Sequence, residues 1–273
     1  MIRAASRHAM ADLRGHLDEV TAPMSAADLT TLAGELYDVA ALLIREPRLR
    51  RTVGDPSTRP ESRAEFIGGL LEGQVGAHGR DVVQAAVSQR WSSPWDLTDG
   101  LDLAGDDCLL HAAETDGVLD EIEDELFRLE RILDANSRLM TLLDEVSVSA
   151  ERRVALLRDV LAGKVHDVTE ALVEHAVTSP RRRSVQFAIG DLLAAAAARR
   201  DRSIARVSSA VPLTSAQETR LAAALSDLYG RPIEVRTSVE PAVKGGLVIR
   251  VGDEVIDGSL ASRFAAARAA LAR

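Results

Sequence analysis

The sequence is poor in aromatic residues, holds one cysteine and contains no long apolar run. Aromatic residues make up 3% of its 273 residues, so a core has to be built from aliphatic side chains and alanine. A single cysteine, Cys108, excludes an intramolecular disulfide and fits a reducing compartment. The nearest candidate for a membrane segment, residues 192–198, is much shorter than the roughly 20 residues that span a bilayer. We therefore expect no direct membrane insertion.

Charge and composition narrow the function further. The chain carries 33 basic and 42 acidic residues, a net charge of −9, which disfavours nonspecific binding to nucleic acid. Hydrophobic residues make up 46% and charged residues 27%, which is typical of a soluble globular protein. The length of 273 residues suits about two domains. The first twenty residues alternate charged and small apolar side chains and lack a signal-peptide core. We expect a cytoplasmic protein that reaches a membrane only through partners.

Helical periodicity dominates the first two hundred residues. Apolar residues recur at helical spacing over residues 3–20 and 29–43, and Ser25 is a candidate N-cap of the second helix. The Arg-rich and Pro-containing residues 48–60 predict a loop. Two further helices follow, over residues 61–71 and 82–91.

The same pattern then recurs, which indicates an internal duplication. A shift of 90 residues places Leu29 on Leu119. Four charged pairs are superposed by the same shift: Glu35 with Glu125, Arg48 with Arg138, Glu61 with Glu151 and Arg63 with Arg153. From Val82 onward we place the match at a shift of 86, which superposes Val82 on Val168 and the dipeptide Ser93-Pro94 on Ser179-Pro180. We interpret the pattern as two helical-bundle units, residues 1–95 and 96–204.

Residues 92–106 are rich in Pro, Gly and Asp and predict a seam between the two units. Trp91 and Trp95 flank it, either as an anchor for a partner or, in our preferred interpretation, as packing across the seam. A long helix is predicted over residues 184–204. The three arginines before it, at 181–183, suit either an acidic partner or a solvated helix start.

From residue 205 the periodicity changes to an order β-α-β-β-α, with the first helix over residues 215–229, which predicts a small mixed sheet with helices on one side. The last two strands flank Gly252-Asp253, a tight-turn signal between β-branched runs. Gly245 and Gly246 precede the first of these strands, where they permit a bend. Asp257 or Ser259 is the candidate N-cap of the final helix.

Several pieces of this segment resemble, in their order along the chain, the C-terminal region of the delta subunit of F-type ATP synthases, called oligomycin-sensitivity-conferring protein in mitochondria. They are Pro212, Leu213, Pro241, Gly245, Gly246, Gly252, Asp253, Asp257, Gly258 and Ser259. The resemblance implies a mainly α protein with a small α+β C-terminal domain at 205–273. Because residues 109–133 look most like the family's usual N-terminal bundle, we expect the first unit to be an added copy, resembling the long delta subunits of actinobacteria.

The resemblance also implies the function. It predicts a non-catalytic stator subunit on the cytoplasmic face of the cell membrane, whose helical region holds N-terminal segments of alpha subunits. Its C-terminal domain would meet the b-subunit peripheral stalk. We expect a monomer when the chain is isolated, with no cofactor, no metal and no nucleic-acid partner.

No motif of an enzyme emerges from the residues themselves. The sequence lacks a P-loop, a dinucleotide fingerprint, a zincin motif and a nucleophile elbow. Asp253 with Asp257 suits turn and cap roles better than a catalytic pair, and Cys108 with His111 suits a plain helix better than a metal site. The acidic run 116–130 is either a solvated face or a dock for a basic partner. The alternative function is a free-standing helical scaffold or regulator, which could bind DNA; an enzyme comes third.

Overall fold

The computed structural model describes residues 4–179, 184–202, 204–229, 233–240, 243, 245–251 and 254–258. The chain divides into two compact units, Met1–Ala196 and Ala197–Arg273. The first unit is helical. The second carries a small mixed sheet, so the predicted mainly α fold with a small α+β C-terminal domain is confirmed.

Eleven helices precede the first strand in the described part of the chain. They are α1 Ala4–Thr21, α2 Ala26–Arg45, α3 Pro47–Val53, α4 Pro60–Leu70, α5 Ala77–Ser88, α6 Pro94–Thr115, α7 Leu119–Ala135, α8 Ser137–Asp144, α9 Ala150–Leu161, α10 Asp167–Thr178 and α11 Val185–Arg202. The core that they enclose is aliphatic, as the scarcity of aromatic residues requires.

Local sequence explains where α2 begins and ends. Ser25 and Asp28 form a reciprocal capping box, which satisfies backbone donors at the first turn. Its leucines at i, i+3 and i+7 are buried on one face. Pro47 cannot continue α2 but suits the first position of a new helix. The predicted loop over 48–60 is therefore wrong at its start, because α3 occupies Pro47–Val53.

Helices α2 to α5 recur as α7 to α10. The last helix of each set is α5, Ala77–Ser88, in the first copy and α10, Asp167–Thr178, in the second. The two helices are shifted by 90 residues at both ends. Val82, Val83, Ala86 and Val87 are buried there, and so are their counterparts Leu172, Val173, Ala176 and Val177. The predicted change of the shift to 86 is therefore wrong, because the ends of the helix and these four buried positions follow the 90-residue shift.

Packing repeats together with the helices. Helix α5 contacts α1, α2 and α4, and α10 contacts α6, α7 and α9 in the same way. Helix α6 therefore belongs to both copies. It is the last helix of the first copy, and in the second copy it takes the position that α1 has in the first. We describe two six-helix bundles that share α6: α1–α6 (the first bundle) and α6–α11 (the second bundle).

The predicted seam at 92–106 is mostly helix, since α6 begins at Pro94 and 14 of its 22 residues are buried. Glycine and aspartate suggested a turn, but here they serve packing. A methyl group on Gly105 would overlap the Tyr37 ring, and one on Gly100 would overlap Trp91. Asp96, Asp102 and Asp106 contact Ser6, His175 and Tyr37 of neighbouring helices. The predicted boundary at 95/96 falls inside this shared helix; it, like the boundary at 204/205, stays a prediction.

The second unit contains β1 Ile204–Ser209, α12 Ser215–Tyr229, β2 Glu234–Val239, β3 Leu247–Val251 and β4 Glu254–Asp257. The strand order is β2-β1-β3-β4. Strand β1 pairs in parallel with β2 and antiparallel with β3, which in turn pairs antiparallel with β4. The sheet is mixed, as predicted, and its described part has four strands where the predicted order counted three. The predicted final helix lies outside the described residues.

Helix α12 crosses between the two parallel strands, and α12 matches the predicted helix. Side chains from one face of the sheet meet α12 in a small separate core, formed by Ala205, Val207, Leu225, Ile233, Ile249 and Val251. This core is independent of the one that fills the helical bundles. The second unit therefore has a hydrophobic core of its own.

Candidate functional site

Two glutamates at the same repeat position hold the start of the fifth helix in each bundle. In the first bundle a carboxylate oxygen of Glu35 accepts the Gly76 N–H at 2.8 Å. In the second bundle Glu125 accepts the His166 N–H at 3.0 Å and the Thr169 hydroxyl at 2.5 Å. A carboxylate suits this place because the first turn of a helix leaves N–H groups unpaired and carries positive partial charge.

Two arginines at the same repeat position reach the end of that helix. One guanidinium nitrogen of Arg63 donates to the Ser88 carbonyl at 3.3 Å, and one of Arg153 donates to the Val177 carbonyl at 2.7 Å. Burial lowers the pKa of Arg63 from its ordinary value, yet the group stays charged at physiological pH. The charged pairs detected in the repeat are thus the residues that fix α5 and α10.

The two bundles meet at a polar and aromatic contact on the shared helix. The Tyr37 ring of α2 stacks on His175 of α10, with centroids 3.5 Å apart and planes at 11°. Tyr37 donates its hydroxyl to Asp106 at 2.8 Å. On the same face of α6, Asp102 accepts from Ser179 at 3.2 Å and lies 3.3 Å from His175. Helix α10 therefore packs against α6 and against the Tyr37 ring of α2.

Exposed aromatic rings mark another surface. Phe127 of α7 is 50% exposed and Phe187 of α11 is 66% exposed, in a chain with few aromatic residues. The two helices are neighbours, since Gln186 donates to Asp134 and Gly190 faces the Glu130 carboxylate. Sequence reasoning missed these rings, although the repeat carries the signal: Phe127 is the counterpart of Tyr37. A third ring, Phe66 on α4, is 49% exposed.

The other candidates from the sequence resolve into structural roles. Trp91 is buried and donates its indole N–H to the Ala86 carbonyl at 2.8 Å, which confirms packing rather than a partner anchor. The guanidinium of Arg50 lies 3.4 Å over the Trp95 ring. Cys108 is buried in α6, and His111 lies 3.2 Å from the Thr21 hydroxyl. Within the described residues, no three His, Cys, Asp or Glu side chains are grouped to hold a metal ion.

The predicted C-terminal residues fall only partly within the described structure. Gly245 and Gly246 have φ of 73° and 81°, which explains why glycine precedes β3. The Gly258 N–H donates to the Leu247 carbonyl at 2.9 Å and closes the β3–β4 pair. Pro212 is exposed and Leu213 packs on the small core, while Asp257 ends β4 at the surface.

Pro241, Gly252, Asp253 and Ser259 lie outside the described residues, as do the three arginines at 181–183. The predicted glycine turn, the Asp253–Asp257 pair and the Ser259 cap therefore remain predictions. The described acidic helix α7 exposes most of its carboxylates to solvent.

Comparison with known proteins decides the family. The family model described as ATP synthase delta (OSCP) subunit matches residues 107–271. The chain belongs to the ATP synthase delta (OSCP) subunit family. That match begins inside α6, so it takes in most of the second bundle and the C-terminal unit.

Full-length relatives of this delta (OSCP) family chain come from actinobacteria. It is 44% identical over 263 residues to a protein named ATP synthase subunit delta from Streptomyces griseus. The matched region covers 96% of this chain and 97% of the relative. It is also 44% identical to a protein of that name from Frankia alni, over all of both chains. The sequence similarity to these relatives therefore includes the region of the first bundle.

A solved structure, a cryo-EM model of the Toxoplasma gondii mitochondrial ATP synthase hexamer, is similar to 62% of the chain. The match covers 95% of the structure's chain at 18% identity and a TM-score of 0.33, a weak structural likeness.

Across the described residues, no helix combines the length and apolar character that crossing a bilayer would need.

Proposed function

We propose that this chain is a coupling subunit in the peripheral stalk of an F-type ATP synthase, without catalytic residues of its own. The observation that carries the proposal is the family match over residues 107–271, together with full-length similarity to proteins named ATP synthase subunit delta. A stator subunit has to hold two other parts together against torque, so it needs two separate binding surfaces. The division of the chain into two compact units supports this requirement.

The helical region binds N-terminal segments of alpha subunits, and the unit from residue 205 binds the b-type stalk. Helix-in-groove binding suits the first contact, because the bundles offer faces between neighbouring helices. The complex, rather than a helix of this chain, provides attachment to the cytoplasmic face of the membrane. No cofactor, metal or nucleic acid takes part.

Binding measurements on the isolated chain test the proposal. We expect a monomer in analytical ultracentrifugation that binds an alpha N-terminal peptide and a soluble C-terminal fragment of b at the same time. Isothermal titration with each ligand, in the presence and absence of the other, measures both affinities. If neither ligand binds, or if the two compete for one site, the proposed coupling role is wrong.

A further inference from the structure

One surface of the second bundle is exposed, whereas the equivalent surface of the first bundle is in contact with α10. Tyr37 on α2 and Phe127 on α7 are counterparts at the 90-residue shift, and both are aromatic. In the first bundle a helix covers this ring, because α10 lies on α6 and stacks His175 on Tyr37. In the second bundle the ring is half exposed. The Tyr37 contact shows that an aromatic ring at this repeat position can pack against the side of another helix.

At the ring itself the second bundle is less polar than the first, because the counterparts of Tyr37 and Asp106 are Phe127 and Ala196. Tyr37 donates its hydroxyl to Asp106, but Phe127 has no hydroxyl, and alanines occupy the corresponding part of α11. Phe127 follows the stripe of α7 that carries Glu130 and Asp134, the two side chains that border α11. Phe187 projects from the outer face of α11, with Asp191 and Ala194 exposed beside it. These residues of α7 and α11 form what we call the α7/α11 surface.

Charge selects the kind of helix that fits. Helix α7 carries seven acidic and two basic residues, and only one of the acids, Glu125, is buried as a cap. Asp191 adds a carboxylate on the α11 side. A ligand helix with an apolar stripe over the two phenylalanines and basic residues on its flanks would match both the rings and the charge.

We propose that the α7/α11 surface binds a basic amphipathic helix of another subunit, in the place that α10 takes on α2 and α6. The inference rests on the proposed function in that the helix comes from the ATP synthase complex. It adds the surface, the two rings that contact the ligand, and the chemistry of the ligand. Phe127 is the central anchor, because exposed aromatic rings that become fully buried carry much of an interface's affinity.

Site-specific photocrosslinking in the assembled complex tests the inference. The photoreactive residue benzoylphenylalanine replaces Phe127 or Phe187, and in the control it replaces Ile132, which is 43% exposed on a different side of α7. We expect adducts at the first two positions, mapped by mass spectrometry to one basic amphipathic segment of another subunit, and none of these at Ile132. No adduct with that segment, or equal adducts at all three positions, overturns the inference.

Affinity measurements provide the second test. The crosslinked segment, made as a synthetic peptide, should bind the Phe127→Ala chain about tenfold or more weakly than the wild-type chain. Asp191→Lys should weaken binding mainly at low salt, because a flanking charge acts over distance and is screened. Ile132→Ala is the matched control and should leave the affinity unchanged.

The outcomes separate this inference from the proposed function. If the chain assembles into the complex but the peptide binds the Phe127→Ala and wild-type chains equally, the coupling role stands and the α7/α11 surface is wrong. If the chain does not assemble with ATP synthase subunits at all, both are wrong. Circular dichroism of each variant confirms that the helical fold is intact.

Discussion

Removing the carboxylate of Glu125 should destabilise the helical unit much more than removing that of Glu35. Glu125 is only 7% exposed and accepts two hydrogen bonds, from the His166 N–H and the Thr169 hydroxyl. A fully buried donor left without a partner costs about 1–3 kcal/mol. The Thr169 hydroxyl is fully buried and the His166 N–H only partly, so Glu125→Ala should cost roughly 2–4 kcal/mol. Glu35 accepts one N–H at a more exposed site, and Glu35→Ala should cost about 0.5–1.5 kcal/mol.

Urea unfolding followed by circular dichroism measures both free energies, and amide hydrogen exchange locates the loss. We expect faster exchange at the start of α10 in Glu125→Ala and at the start of α5 in Glu35→Ala. Glu65→Ala, at an exposed position in the middle of α4, is the control and should cost no more than about 0.5 kcal/mol. Equal costs for the two cap variants, or unchanged exchange in α5 and α10, would refute the role that we give these glutamates.

Two further predictions concern glycines. Gly105→Ala should cost about 1–3 kcal/mol in thermal unfolding, because its methyl group would overlap the Tyr37 ring, whereas Gly34→Ala, in open space on α2, should stabilise by about 0.5–1 kcal/mol. The opposite order would contradict the close approach of α2 and α6. Gly246→Ala, at φ 81°, should cost about 1 kcal/mol and weaken binding of b while binding of alpha stays unchanged; equal weakening of both would contradict the separate roles of the two units.

Periodic apolar patterning was sufficient to predict most of the helices and the duplication. The leucine stripes of α2 and α7 and the shared positions of Glu35 and Arg63 repeat because they do the same work in both bundles. Helix α12 matches the predicted helix, since its apolar periodicity and its N-cap, where the Thr214 hydroxyl accepts the Gln217 N–H at 3.3 Å, are local features of the chain.

Features that depend on tertiary contacts could not be predicted in this way. The glycines and aspartates of α6 predict a turn in isolation, but in the structure they allow close packing and pair with residues more than sixty positions away. The shift of 86 followed the Ser-Pro dipeptides, whereas burial of Val82 and its counterpart Leu172 shows a shift of 90. The exposure of Phe127 could not be predicted either, because its counterpart Tyr37 is covered by a helix from the other bundle.

ATP-driven proton pumping tests the central claim most directly. Inverted membrane vesicles that contain the ATP synthase but lack this subunit are supplied with the purified chain, and fluorescence quenching reports acidification. A stator coupling subunit predicts that ATP is hydrolysed with little pumping in its absence and that adding the chain restores pumping in proportion to the amount bound. Equal pumping per ATP hydrolysed with and without the chain would contradict the coupling role.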